Sequence, residues 1–229
     1  MKLKFFLSIF AILLIISCKD AKNSNDFIKA TTGRYLYNSD ELIEVYFKEN
    51  ILFLKWRGAT AIKPLKVNDT TFFVKEMNEK IQFLKNPANK KEYIVLVPKE
   101  KGKKIIFNYR KLSNSEKIPS EYLKKDEYNK ALQAYLTIQK KDSLDSAITE
   151  NNFNSFGYKE LRKKNFKKAI QLFSINIALY PNSSNVYDSL AEAYMKKGDT
   201  AQAIINYKKS LALDSGNKRA KRTIKRLTK

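Results

Sequence analysis

The chain contains no histidine and a single cysteine among 229 residues. Without an imidazole there can be no Ser/His or Cys/His nucleophile pair, no His-ligated metal and no side chain that titrates near neutrality by default. One thiol forms neither an internal disulfide nor a thiolate metal cluster. No apolar run is long enough to span a bilayer. Phe5 to Ile16, in which only Ser8 is polar, would reach about 18 Å as a helix, against a hydrocarbon core of roughly 30 Å. Paired carboxylates, a Gly-rich phosphate loop and metal-ligand spacing are also missing. The sequence therefore reads as non-enzymatic, with no cofactor and no metal.

What is present is charge and apolar mass. Lys and Arg number 45 against 23 Asp and Glu, a formal net charge of +22, while 43% of residues are hydrophobic and 12% aromatic. That composition supports a folded body of one or two domains. The charge is not concentrated: residues 18–112 carry a net +9 and residues 113–229 a net +11. A surface property, not a polycationic tail, accounts for it.

The apolar run follows Lys2 and Lys4, and this order has the form of a signal peptide over residues 1–17. Its end, Ile15-Ile16-Ser17-Cys18, resembles a bacterial lipobox. The resemblance implies diacylglyceryl transfer to the Cys18 sulfur, cleavage before Cys18 and acylation of the new amine. Several acyl chains, at about 0.8 kcal/mol per buried methylene, make a stable membrane anchor. The expected location is the cell envelope, anchored by lipid to the outer membrane. Lys19-Asp20 partly resembles a surface-export signal of Bacteroidetes lipoproteins, and the periplasmic and surface sides both stay open.

The anticipated fold class is α+β, a small antiparallel β-meander or barrel followed by an all-α region. Residues 18–29 are polar and read as a lipid-anchored tether. Residues 30–112 form the β domain, with about eight short strands rich in β-branched and aromatic residues. Ile43, Val45 and Phe47 alternate with polar neighbours, and Glu49-Asn50 is a tight hairpin candidate. Later runs are Ala61–Val67, Thr70–Val74, Lys80–Lys85, Tyr93–Val97 and Lys104–Arg110. Consecutive strands without intervening helices suggest a meander closing on itself. Residues 113–120, ending in Pro119, read as a linker, and 121–229 as helices with a C-terminal cap.

The helical half repeats. Shifted by 34 residues, Ala169-Ile170 falls on Ala203-Ile204, Phe173 on Tyr207, Leu179 on Leu213, Phe153 on Tyr187 and Gly157 on Ala191. A 34-residue period is that of the tetratricopeptide repeat. Small Gly157, Ala169, Ala191 and Ala203 let paired helices approach, and large Phe153, Phe173, Tyr187 and Tyr207 fill the space between. Pro181 stops one helix and Gly198 ends another. Ser215 and Glu160 depart from the pattern. A partial third copy precedes them at a spacing of 38 through Tyr128, Ala131 and Tyr135.

Asn154-Ser155-Phe156-Gly157-Tyr158, Tyr180-Pro181 and Val186-Tyr187-Asp188-Ser189-Leu190-Ala191 are similar to the repeat tail of Bacteroidetes serine hydrolases of the class C β-lactamase-like family. In that family the tail often follows a small β domain, and Gly33-Arg34-Tyr35, Thr71-Phe72-Phe73 and Ile81-Gln82-Phe83 stand in the corresponding places. The hydrolase domain itself has no counterpart. The sole Ser-x-x-Lys, Ser215 to Lys218, lies in the repeat register without Tyr-x-Asn or Lys-Thr-Gly partners.

The first helix of each repeat would line a concave face presenting Asn154, Tyr158, Arg162, Asn185, Asp188, Glu192 and Lys196. Such a face suits an extended peptide or a partner helix. A clamp for an acidic C-terminus would need Lys and Asn where Asn154, Tyr158, Asp188 and Glu192 stand. The expected function is therefore a lipid-anchored protein–protein interaction or scaffolding module. The alternatives are a ligand-binding barrel for carbohydrate, lipid or peptide, with Trp56 and its aromatic neighbours as lining, and an accessory subunit of a separate hydrolase. Seven basic residues from Lys218 to Lys229 would bind phosphate in a salt-dependent way. Envelope export argues against nucleic acid as the partner, and an apolar stripe of Ala220, Ile224 and Leu227 gives the segment a structural role as cap.

Overall fold

The computed structural model describes residues 22–100 and 102–228. Cys18 and the residues 1–17 expected as signal peptide lie outside that range. Nine strands form one curled antiparallel sheet: β1 (Gly33–Asn38), β2 (Glu41–Lys48), β3 (Ile51–Trp56), β4 (Ala59–Ile62), β5 (Leu65–Lys66), β6 (Thr71–Val74), β7 (Glu79–Lys85), β8 (Glu92–Leu96) and β9 (Tyr109–Lys111). Their spatial order is β4-β3-β2-β1-β9-β8-β7-β6-β5. The two ends of that order are neighbours in the chain, separated only by Lys63-Pro64. Residues 59–66 thus act as one bent run, pairing with β3 through its first half and with β6 through its second. Counted that way, the strands number about eight, as the sequence suggests.

Local chemistry sets the turns. Glu49 and Asn50 have φ of 49° and 65°, the pair of positive values a two-residue hairpin needs, and Lys48 pairs with Ile51 across it. Alternation then sends Ile43, Val45, Leu52 and Leu54 inward, each at most 1% exposed. Residues 104–108, expected as strand, are not strand. Only Tyr109–Lys111 pair there, and Ile105 and Ile106 face solvent. The Asn108 carboxamide oxygen accepts from the Leu96 backbone N–H at 2.9 Å, taking the place of a ladder bond.

The polar stretch expected as tether is structured from Asn23 onward. Asn23 is buried, and its backbone and side-chain nitrogens both donate to the Asn50 carbonyl at 2.9 Å. Ser24 caps helix α1 (Asn25–Thr31) by accepting from the Phe27 N–H. Phe27 then enters the curled sheet, with its ring 5.4 Å from Phe83, 5.8 Å from Phe72 and 6.1 Å from Phe47. One aromatic in a polar stretch outweighs the composition around it, because burying it removes a large apolar area from water.

The helices are α2 (Pro119–Lys124), α3 (Tyr128–Lys141), α4 (Glu150–Arg162), α5 (Phe166–Leu179), α6 (Ser184–Lys197), α7 (Thr200–Leu213) and α8 (Lys218–Leu227). First helices begin at 150, 184 and 218, and second helices at 166 and 200, so the 34-residue period holds in space as well as in sequence. Thr149, Asp199 and Asn217 cap three of them through side-chain oxygens. The left-handed turn ending α6 is Gly198, with φ of 91°. The same turn after α4 is made by Lys164, with φ of 61°. Gly157 is required by contact: a Cβ there would meet the Phe173 ring at 2.4 Å.

The segment expected as linker is held against the sheet. The Arg110 guanidinium forms a two-point pair with Glu116, and the Ser113 N–H donates to the same carboxylate. These bonds hold the Glu116 carboxyl well below its usual range, at about 2.

Candidate interaction surface

Helices α4, α6 and α8 lie successively in the repeat register and carry the polar face. Asp188 on α6 is only 7% exposed. Its Oδ1 accepts from Asn217 Nδ2 at 3.0 Å, and its Oδ2 from the Arg219 guanidinium on α8. Glu192, one turn along, accepts from Arg219 Nη1 at 2.7 Å and from the Tyr158 hydroxyl at 3.0 Å. Lys196 approaches the other Glu192 oxygen at 3.6 Å. Burial raises the Tyr158 hydroxyl above its ordinary pKa, so it stays a donor at physiological pH.

The structure thus unites Tyr158, Asp188, Glu192 and Lys196 in one network. Asn185 stands apart, exposed and donating to Glu150 Oε1 at 2.9 Å. Arg162 is exposed at the end of α4. Asn154 is half-buried, and its carboxamide oxygen meets no hydrogen-bond partner among the described residues. Sequence reasoning missed Arg219 and Asn217, having taken α8 only as a cap. The signal was there: Arg219 is Asn185 shifted by 34 residues, so α8 is a third first helix and contributes to the same face.

The consequence for recognition is direct. The two carboxylates expected to meet a partner are already met within the chain. Among the described residues, the charge on this face that forms no ion pair is positive: Arg162 and, in the α8 register, Arg222.

A second polar cluster joins the sheet to the helices. Asp40, in the turn between β1 and β2, accepts from the Ser120 N–H at the start of α2 and from the Tyr135 hydroxyl of α3, both at 2.6 Å. Arg34 Nη1 reaches both Glu121 oxygens at 2.7 and 2.8 Å. The Ser39 hydroxyl bonds the Asp145 carboxylate. Burial pushes the Asp40 carboxyl up to about 6, against the downward pull of its two hydrogen bonds and of Lys124. Nothing in the local sequence around Asp40 marks it.

The curled sheet is filled by its own side chains. Tyr35, Phe72 and Phe83 are at most 5% exposed, and Tyr35 stands edge-on to Phe83 at 5.9 Å. Trp56 lies on Tyr37, ring centroids 5.1 Å apart, under the Arg57 guanidinium at 4.6 Å. Tyr37 stacks in turn on Tyr109 at 5.0 Å. Tyr35, Phe72 and Phe83 therefore act as packing, and Arg57 makes a cation–π contact with Trp56.

No family model matches the chain, and no curated protein matches it. Among solved structures, the first TPR of Spaghetti (RPAP3) bound to an HSP90 peptide is similar over 48% of this chain and 84% of its own, at 17% identity and a TM-score of 0.35. The Arabidopsis OM64 TPR domain is similar over 48% of this chain and 87% of its own, at 20% identity and a TM-score of 0.34. MamA is similar over 49% of this chain and 83% of its own, at 18% identity and a TM-score of 0.35. The repeat assignment rests on the 34-residue recurrence of helix starts and of their packing residues within this chain.

Proposed function

We propose that the protein is a lipid-anchored, non-enzymatic interaction module of the cell envelope, docking a protein partner on the face formed by α4, α6 and α8. The observation that carries this reading is the recurrence of first helices at 150, 184 and 218, which lays a continuous polar face along three neighbouring helices. On that face Asp188 and Glu192 serve as internal ties to α8, while Arg162 and Arg222 remain to meet a partner of negative charge. Cys18 and its lipobox support the anchor.

The test is crosslinking in envelope membranes with the full chain. Arg162→Glu together with Arg222→Glu alters exposed charges that form no ion pair among the described residues and leaves the α6–α8 ties in place. Loss of the crosslinked partner with unchanged melting behaviour supports the reading. An undiminished crosslink in that variant rejects this face. Release of Cys18→Ala protein from membranes tests the anchor separately, and a variant that stays membrane-bound and still incorporates a palmitate analogue rejects it.

A further inference from the structure

A cleft of about 360 Å³ opens where the β1–β2 turn, α2, α4 and α5 come together. It lies apart from the α4–α6–α8 face. Its apolar lining is Leu123, Leu172 and Phe156. Phe156 does not fit a purely structural account. Shifted by 34 residues it becomes Leu190, which is 6% exposed and packed in the core between repeats, yet Phe156 is 52% exposed. A core position of the repeat register is thus left half-exposed by the described residues, in a cleft of small-ligand size.

The mouth is basic. Lys124, Lys159 and Lys168 line it, and none of the three forms a hydrogen bond or ion pair among the described residues. Glu160, also at the rim, is committed to Lys163 at 2.8 Å and to Asn165 at 2.8 Å. Asp40 borders the inner wall, with both oxygens occupied by Ser120 and Tyr135. A carboxylate there repels an anionic group placed deep, while the ammonium groups attract one placed at the mouth. Apolar interior, basic mouth and acidic inner wall together select polarity and orientation.

The geometry points to a binding site for a small amphipathic carboxylate, with its anionic head between Lys159 and Lys168 and its apolar body against Phe156, Leu123 and Leu172. A medium-chain fatty acid has this chemistry.

The test uses the full chain in its native membranes and a decanoate analogue carrying a diazirine at the chain end. After irradiation, peptide mass spectrometry maps the insertion. Insertion is expected in the peptides bearing Leu123, Phe156 or Leu172, competed by decanoate and not by decanol. Lys159→Glu with Lys168→Glu should lower it about tenfold, since two attractive contacts become repulsive. Phe156→Ser, at a side chain already half exposed, is the second variant and should lower it without changing the charge. Insertion elsewhere, equal labelling by the corresponding neutral alcohol probe, or unchanged labelling in both variants would overturn the assignment.

Discussion

The Tyr135 hydroxyl of α3 donates a 2.6 Å hydrogen bond to Asp40 Oδ2 between β1 and β2, joining residues 95 apart in the chain. Together with Ser120 N–H to Oδ1 and Arg34 to Glu121, it makes the contact between sheet and helices polar and directional. Directional contacts of this kind fix an angle, whereas an apolar interface would tolerate sliding.

That carboxyl gives a pH signature. Its folded pKa of about 6 lies above the ordinary 3.8, so between these values the folded chain binds more protons than the unfolded one. Stability from this group is therefore present at low pH, falls by up to about 3 kcal/mol as pH rises through that window and is level above it. Glu116 works in the opposite sense at lower pH, its contribution being lost as pH falls toward about 2. Comparison of urea midpoints for wild type and Asp40→Asn from pH 4 to 7 separates the two, because only the Asp40 component disappears in the variant. Parallel profiles would remove Asp40 from the account.

Gly157→Ala should destabilise the helical region by roughly 2 kcal/mol, because overpacking against Phe173 outweighs the better helix propensity of alanine. The added Cβ would meet ring carbons at 2.4 to 2.8 Å. Phe173→Leu in the same chain should recover part of the loss, measured by urea denaturation. Equal destabilisation with and without Phe173→Leu contradicts the contact.

Lys164→Gly should stabilise the chain by about 1 kcal/mol, since a left-handed residue with a side chain carries a steric cost that glycine does not. Gly198 makes the same turn one repeat later without that cost. A lowered thermal midpoint would show that the Lys164 side chain contributes a stabilising contact instead.

Arg219→Ala should loosen α8 before anything else unfolds. It leaves the nearly buried Asp188 carboxylate with Asn217 as its remaining donor among the described residues and removes one donor from Glu192, a loss of about 1–3 kcal/mol for charged partners. Amide exchange in residues 218–227 should accelerate while that of α4 and α5 stays slow. Uniform acceleration across the helices, or none, would contradict a local tie. For the same reason, charge reversal at Asp188 is a poor probe of partner binding, because it unseats α8.

Much of the helical half is legible in the sequence because its determinants are local and repeated. Gly157 and Ala191, Phe173 and Tyr207 occupy equivalent places at one fixed offset. The Glu49-Asn50 hairpin is readable for a similar reason, since the turn residues and the alternation flanking them agree. Phe27 was not readable. A lone aromatic among Asn, Ser and Lys has no period, and only the waiting rings of Phe72 and Phe83 make it core. Of the polar face, Tyr158, Asp188 and Glu192 were placed together by register alone. Their tie to Arg219 depends on α8 continuing the array, and a helix with six basic residues in ten obscures that behind its charge. Asp40 was invisible because its partners, Ser120 and Tyr135, are separated from it by most of the β region.

The bent run at residues 59–66 has one more consequence. A sheet of nine strands ordinarily presents two long rows of unpaired amides and carbonyls, the template on which another chain adds itself. Here the terminal strands are four and two residues long and are separated by Lys63-Pro64. Proline has no amide hydrogen to offer. The sheet therefore ends in two short rows broken by a residue that cannot pair, which protects the protein against edge-to-edge aggregation.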